Sequence, residues 1–475
     1  MLSRLAWRRS VGPLFVAACL LCGAGVCAQA PPLRQAPILL LSEAVRLALD
    51  EATTVLDAAA NVAESEIALR AARGLYWPKF TSNALGNYGQ EVAAGQTFGA
   101  TLSQRFQTGT EVRASVGTMS LQNQAGTYFA SDTTLALGQS LSSVFSPRSV
   151  GLDVRNAEVD VAAARQQQSL VRQRVAIDVA VTYYEIVAQQ ELRDLAEASA
   201  ARARRLLEAS RAKLVAGKVS RLDVFRAEQF VAQADLQKLD ASTAVQDAED
   251  RLRLLMSRDS DFAFSVSRTI VLPTGHVSEA EAVTLALGRR LELDTADDAL
   301  RKAQDAAWLA GRQWVPQVDV GVALLRQQTA ASLGGSLGAS GFHTSAFLAA
   351  SVPVDRAAGR AAVERAALEV ERLKRAREAL QRTVSHQARH AVRNYERLLQ
   401  GLALIESGLE QARQEAELAQ LRYDHGLSNN LDLTSAEENL LAVRARRAGV
   451  LGQVAVAWLE VRAAAGILDP VADIR

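Results

Sequence analysis

The sequence predicts an α+β membrane protein built from two structural repeats, in which strands of a shared transmembrane β-barrel alternate with unusually long helices. Three observations carry the prediction. A short motif occurs twice at a fixed offset, and the hydrophobic period switches from about 3.6 to 2 and back in each half. The longest helical stretches run for about 65 residues with hardly a proline or glycine, more than a globular helix usually spans.

The repeated motif is Leu222-Asp223-Val224 with Ala227-Glu228 behind it. It returns 209 residues later as Leu431-Asp432-Leu433 with Ala436-Glu437, and Gly217 returns as Gly426. Glycine commonly sits just past a helix end because it accepts positive φ. Ser220 or Ser428, with the Asp that follows, suits the N-terminus of the next helix. Each copy therefore reads as the tip of a helical hairpin.

Composition narrows the class. The chain has 475 residues, 22% charged and only 5% aromatic, with much Ala, Arg, Gln, Glu and Leu, as extended helical packing requires. Residues 1–28 read as a secretory signal peptide. Arg4, Arg8 and Arg9 precede an apolar run, and Val26-Cys27-Ala28 forms a small-residue cleavage site before Gln29. A membrane anchor and a lipid-modified Val16-Ala17-Ala18-Cys19 box are the competing readings of this segment. Cys19, Cys22 and Cys27 all fall inside it, so 29–475 carries no cysteine, disulfide or thiol chemistry. Without 1–28 the chain holds 50 basic against 52 acidic residues, a balance that points away from nucleic acid.

Repeat 1 spans 29–256. A helix over 42–75, with Ser42 as its cap, ends at Tyr76-Trp77-Pro78, where proline excludes further helix. Over 79–145 the period is 2: Phe98, Ala100, Leu102, Gln104 and Phe106 alternate with Gly99, Thr101, Ser103 and Arg105, and Val112, Ala114 and Val116 with Arg113, Ser115 and Gly117. A long helix over 148–216, the tip 217–223 and a helix over 224–256 complete the repeat. After a linker, 257–277, repeat 2 covers 278–466 with a helix over 278–312, the Trp314-Val315-Pro316 junction and strands over 317–354. A long helix over 356–425, the tip 426–432 and a helix over 433–465 follow, leaving a C-terminal tail, 467–475. Each long helix makes a rod of roughly 100 Å.

Strands of about ten residues with one apolar and one small or polar face suit a transmembrane barrel, in which closure satisfies every strand edge. One chain has too few strands to close a pore, so several copies must share it. The helices, too long and polar to span lipid, would build a second, soluble barrel. Tyr76, Trp77, Phe80 and Trp314 stand where an interfacial aromatic belt is expected.

On these residues the chain resembles the TolC family of trimeric outer-membrane channels. The likeness rests on the duplicated helix, the Trp77-Pro78 and Trp314-Pro316 junctions, the strands, the long helices and the two Gly-Leu-Asp tips. It implies a homotrimer with a 12-stranded shared barrel in outer-membrane lipid above a 12-helix periplasmic tunnel. It also implies a periplasmic membrane-fusion adaptor and an inner-membrane ABC transporter or proton-driven pump as partners. Within the family, the chain is read as a type I secretion member of the toxin-exporting kind, with an exported protein as its substrate. Efflux of small toxic compounds is the alternative, and a secreted coiled-coil adhesin stands third. Two features depart from the family. The first β region spans 66 positions from Pro78 to Val144, against 37 from Pro316 to Pro353, and holds about four strand-like runs where two are needed. The added hairpin either enlarges the barrel or lies outside the membrane. Three residues past the tip Asp, where some members carry a second acid, stand Arg226 and Ser435.

Asp223 and Asp432 are the candidates for an acidic ring at the periplasmic aperture, with helix capping as the plainer role for each. Gly217, Ser220, Leu222, Gly426, Ser428 and Leu431 are candidates for adaptor docking, although Leu222 and Leu431 would also suit packing between their own helices. His386 and His390, four apart, are the nearest approach to a metal pair, but no third ligand accompanies them. No catalytic constellation stands out, so the chain is read as a non-enzyme needing no cofactor or metal.

Overall fold

The computed structural model describes residues 37–87, 95–123, 126–141, 149–217, 219–273, 275–312, 317–338, 341–352, 357–425 and 427–474. The leader 1–28 with its cysteines, and Trp314, Pro316, Gly426 and Lys218, lie outside them.

Where 42–75 predicts one helix, the chain forms two: α1 (Leu41–Glu51) and α2 (Thr53–Gly74), separated by Ala52 at φ −61°, ψ 129°. Repeat 2 does likewise, with α5 (Glu279–Arg289) and α6 (Leu291–Arg312) separated by Arg290 at φ −74°, ψ 121°. No proline marks either break. The cause is tertiary: α1 turns its buried face, Leu41, Ala44, Val45, Ala48 and Leu49, into a core that α2 leaves to run along the long helix. Ser42 caps nothing, since α1 starts from Leu40 without a side-chain cap, whereas Ser278 Oγ accepts from the Glu281 N–H at 3.3 Å.

The rods are α3 (Leu152–Val215, 64 residues) and α8 (Ala357–Asp424, 68 residues), each returning through a 35-residue helix, α4 (Arg221–Leu255) and α9 (Asn430–Ala464). At 1.5 Å per residue the rods are roughly 100 Å long. Alanine lets them approach closely: Ala200 and Ala203 of α3 meet Ala234 of α4, and Ala412 and Ala416 of α8 meet Ala436 of α9. Gly452 of α9 lies so close to Tyr184 that an added Cβ would stand 3.0 Å from the tyrosine Cβ. Among the described residues, no helix is long and apolar enough to cross a membrane.

Two larger cores sit at equivalent heights along the rods. The first joins β1 (Ile38–Leu39), α1, Val175 to Val187 of α3 and the end of α4 with β6 (Ser265–Val266), which pairs in parallel with β1. The second joins α5, Val384 to Leu402 of α8 and Val454 to Val461 of α9. A buried tyrosine pins the linker in each. The Tyr183 hydroxyl donates to Leu39 O and accepts from the Ser267 N–H, both at 3.0 Å; the Tyr395 hydroxyl faces Pro273 O and Gly275 O at 3.3 and 3.4 Å. Burial pushes both phenols above their ordinary pKa. Residues 467–474 are tied down too, with Leu468 and Ile474 in the first core and Arg462 paired to Asp473 at 2.8 Å.

All four β runs of repeat 1 are strands: β2 (Lys79–Asn87), β3 (Gly95–Arg105), β4 (Thr110–Asn123) and β5 (Gly126–Ser140). Repeat 2 adds β7 (Gln317–Ala330) and β8 (His343–Ser351). They form one antiparallel sheet in the order β2-β3-β4-β5-β7-β8. The added hairpin is therefore a member of the sheet. The register puts Phe80, Leu102, Ala114, Leu135, Leu324 and Thr344 in one cross-strand row, with Phe98, Val116, Leu137, Val322 and Leu348 on the same face. The opposite face carries Thr81, Thr101, Ser115, Thr134, Asn83, Asp132 and Arg113, with many small residues and with Leu85, Met119, Leu325 and Phe347 among its larger apolar side chains. Glycines Gly99 and Gly117 make room on that face for the side chains of Asn83 and Asp132, which lie over them. Period 2 thus yields a sheet greasy on one side and more polar on the other, the pattern of a lipid-facing barrel wall.

Candidate functional site: the paired helical tips

The two tips lie side by side at the end of the rods remote from the sheet. The α3–α4 tip reverses at Gly217, φ +69°, and its α4 begins with a reciprocal cap. The Asp223 N–H donates to Ser220 Oγ at 3.3 Å, while the Asp223 carboxylate accepts from the Ser220 hydroxyl at 2.7 Å and from the Ser220 N–H at 3.0 Å. The hydroxyl first, and then the backbone N–H, hold the Asp223 carboxyl below the usual carboxylate range.

The second tip differs by one residue from the expectation. Asn429, not Ser428, caps α9, its Oδ1 accepting from the Asp432 N–H at 3.0 Å. The 209-residue offset maps Ser220 onto Asn429, so the correct pairing was present in the spacing. Ser428 instead turns its hydroxyl inward, buried and without a hydrogen-bond partner among the described residues. Asp432 lies on the exposed side of the first turn.

The residues that join the tips were not among the candidates. Asn430 is 2% exposed and donates through Nδ2 to Ser210 Oγ at 2.8 Å and to the Asp223 carbonyl at 3.1 Å, linking α9 to both arms of the other hairpin. Ser210 in turn lies 3.4 Å from the Tyr423 hydroxyl. Lys213 Nζ stands 3.5 Å over the Tyr423 ring and donates to Tyr423 O at 3.1 Å. Leu206, Tyr423 and Leu433 form an apolar seam beneath. Above it, Arg202 of α3 and Glu437 of α9 make an ion pair at 2.8 Å. A cavity of about 360 Å³ opens between these side chains, lined by Arg202, Phe230 and Tyr423 among others. Polar residues at these positions look like ordinary rod surface in the sequence, because their partners lie more than 200 positions away.

Leu222 and Leu431 are half exposed, at 55% and 51%, and Val215, Phe225 and Leu427 are more exposed still. The tips present an apolar collar that the chain's own helices do not cover. At the other end of the helices Trp77 and Phe80 are exposed. His386 and His390 stack at 6.2 Å between ring centroids, and no metal-binding cluster occurs among the described residues.

The model of a family described as outer membrane efflux protein matches residues 44–258 and 282–467. Solved structures of similar fold include the outer membrane protein VceC of Vibrio cholerae, at 17% identity and TM-score 0.71 over 90% of this chain and 96% of that one. The CmeC outer membrane channel of Campylobacter jejuni aligns at 16% identity and TM-score 0.69, over 90% and 85% of the two chains. The open state of the MtrE channel of Neisseria gonorrhoeae aligns at 17% and 0.65, over 90% and 88%. No curated protein sequence matches the chain.

Proposed function

Because the chain belongs to the outer membrane efflux protein family, a family of non-enzymatic outer-membrane channels, we propose that it is the exit duct of a tripartite export system. In this reading three copies share a barrel in the outer membrane, and their rods enclose a tunnel through the periplasm. The observation that carries it is the attachment of an antiparallel sheet with one apolar and one more polar face to two rods of roughly 100 Å, with capped tips at the far end. Such a wall is stable in lipid only when its edges close. The duct itself does no chemistry. Energy for export comes from an inner-membrane pump, reached through a periplasmic adaptor that docks on the collar around Leu222 and Leu431.

Asp223 and Asp432 stand on adjacent tips, and three copies bring up to six carboxylates to the narrow end, a geometry that favours cations. The purified protein in planar bilayers should conduct ions with cation preference. Asp223→Ala combined with Asp432→Ala should weaken that preference; an unchanged preference would remove the acidic ring from the mechanism, and no conduction at all would remove the duct.

We read the cargo as a protein handed over by an ABC transporter, in type I secretion. The reading of 1–28 as a cleaved leader without a lipid anchor supports this assignment. The efflux description of the matched family favours the second reading, small toxic compounds driven by a proton-coupled pump. Deleting the gene separates the two. Retention of a large secreted protein inside the cell supports secretion, whereas sensitivity to dyes and detergents with normal protein export supports efflux.

A further inference from the structure

A plan of two strands from each repeat would give three copies a twelve-stranded barrel, yet this chain commits six strands to one sheet. The added hairpin is not peripheral. β2 pairs with β3 over nine residues, β3 with β4 over eleven, β4 with β5 over fourteen and β5 with β7 over twelve. Excluding two strands from the wall would break two of these ladders and strip their hydrogen bonds in hydrocarbon, where nothing replaces them. The apolar face also runs unbroken across the added strands, from Phe80 through Leu102, Ala114 and Leu135 to Leu324.

The free edges suit each other. β2 and β8 are both nine residues long and run in opposite directions, so β2 of one copy and β8 of the next would pair antiparallel along their whole length. Proteins that keep sheet edges apart place charges, prolines or bulges on them. Beyond the first residues, Lys79 and His343, neither edge strand carries a charge or a proline. Nor can the sheet close on itself, because even eight strands leave an interior only wide enough for side chains.

We propose that the membrane barrel of this protein has eighteen strands, six from each of three copies, closed by β2 of one copy on β8 of the next. The proposal rests on the reading of the chain as a trimeric outer-membrane duct. Barrel diameter grows about linearly with strand number, so this barrel is about 1.5-fold wider than a twelve-stranded one and has about twice its cross-section. It falls in the size range of porins, which hold an aqueous channel. The lumen then presents Thr81, Asn83, Thr101, Arg113, Ser115 and Thr134 to a solute too bulky for a narrower barrel.

The test is electron cryomicroscopy of the full-length protein in lipid nanodiscs, with strands counted in the membrane cross-section of the averaged particle. A trimer with eighteen strands supports the proposal. A trimer with twelve, and a hairpin lying outside the wall, overturns it and leaves the duct reading standing. Particles that do not trimerise in the membrane overturn both. A second measurement uses single cysteines on the added strands, in a chain with no other cysteine after residue 28. In proteoliposomes, Ser115→Cys should react with a water-soluble maleimide and Val116→Cys should be protected by lipid. Equal reactivity at the two positions counts against the proposal.

Discussion

The helical and β parts of the two repeats have diverged to very different extents. The six helices that pair off beside the rods match in length: α1 and α5 have 11 residues each, α2 and α6 have 22, and α4 and α9 have 35. The β parts do not match, with four strands against two. Helices packed side by side must keep a common length, or their cores and tips fall out of step. A barrel wall tolerates added hairpins, because each inserts two strands and keeps both edges antiparallel.

A finer version of the same contrast operates at the tips. Burial follows the repeat: Val224 and Leu433 are buried, Ala227 and Ala436 are buried, and Leu222 and Leu431 are half exposed. Polar partners do not. Glu228 pairs with Arg211 inside its own hairpin, whereas its counterpart Glu437 pairs with Arg202 across the junction. Arg221 is exposed, whereas its counterpart Asn430 is buried between the tips. The apolar pattern therefore makes two similar hairpins, and the polar differences join them.

The sharpest way to break the symmetry of the two cores is at their tyrosines. Tyr183→Ala should cost about 3–5 kcal/mol in unfolding, as for other large buried side chains. Truncating only the hydroxyl should separate the repeats. Tyr183→Phe orphans both an N–H and a carbonyl and should cost about 2 kcal/mol, whereas Tyr395→Phe, whose single proton serves two long contacts, should cost about 1 kcal/mol. Thermal melting of the assembled protein measures both, and equal losses would contradict the assigned geometry.

The tips supply the next effects. Asn430→Ala should destabilise the junction by about 1–2 kcal/mol, since the Asp223 carbonyl and Ser210 lose a buried donor, while Arg221→Ala should be near neutral. Amide exchange in α4 and α9 reports the difference. Ser220→Ala and Asn429→Ala should each cost about 1 kcal/mol, confined to the first turn of the helix they cap. Ser428→Ala should not reproduce the second loss.

The smallest effect is the dependence on pH at Asp223. Its carboxyl is held below the ordinary value of 3.8, so its stabilisation is complete above that value and is lost as the pH falls through the lower folded value. Because Asp223 is largely solvated, the contribution is a fraction of 1 kcal/mol. Exchange protection at the start of α4 should fall on acidification below about pH 4, and Asp223→Asn should abolish that dependence.

Much of this architecture is local in origin and was legible in order along the chain. Alternation from Phe98 to Phe106 marks a strand because successive side chains point to opposite faces, whatever the rest of the molecule does. The hairpin tips were legible because Gly217 and the spacing from Ser220 to Asp223 act within one turn. The breaks at Ala52 and Arg290 were not, since neither carries a proline and only the core decides where α1 and α5 bend. The seam of Ser210, Tyr423, Asn430, Arg202 and Glu437 escaped for a related reason. A polar side chain on a rod reads as solvated until its partner, from the other repeat, is brought to it.

Sequence alone determined the duplication, the alternation of rods and strands, the apolar face of the wall and the identity of the tips, because each depends on periodicity or on contacts within a few residues. Tertiary structure decided that the added hairpin belongs to the sheet, that Asn430 joins the two tips, and that one buried tyrosine pins the linker in each core. Those outcomes depend on pairing between residues far apart in sequence, where hydrogen bonds buried from water must find specific partners and no local pattern names them.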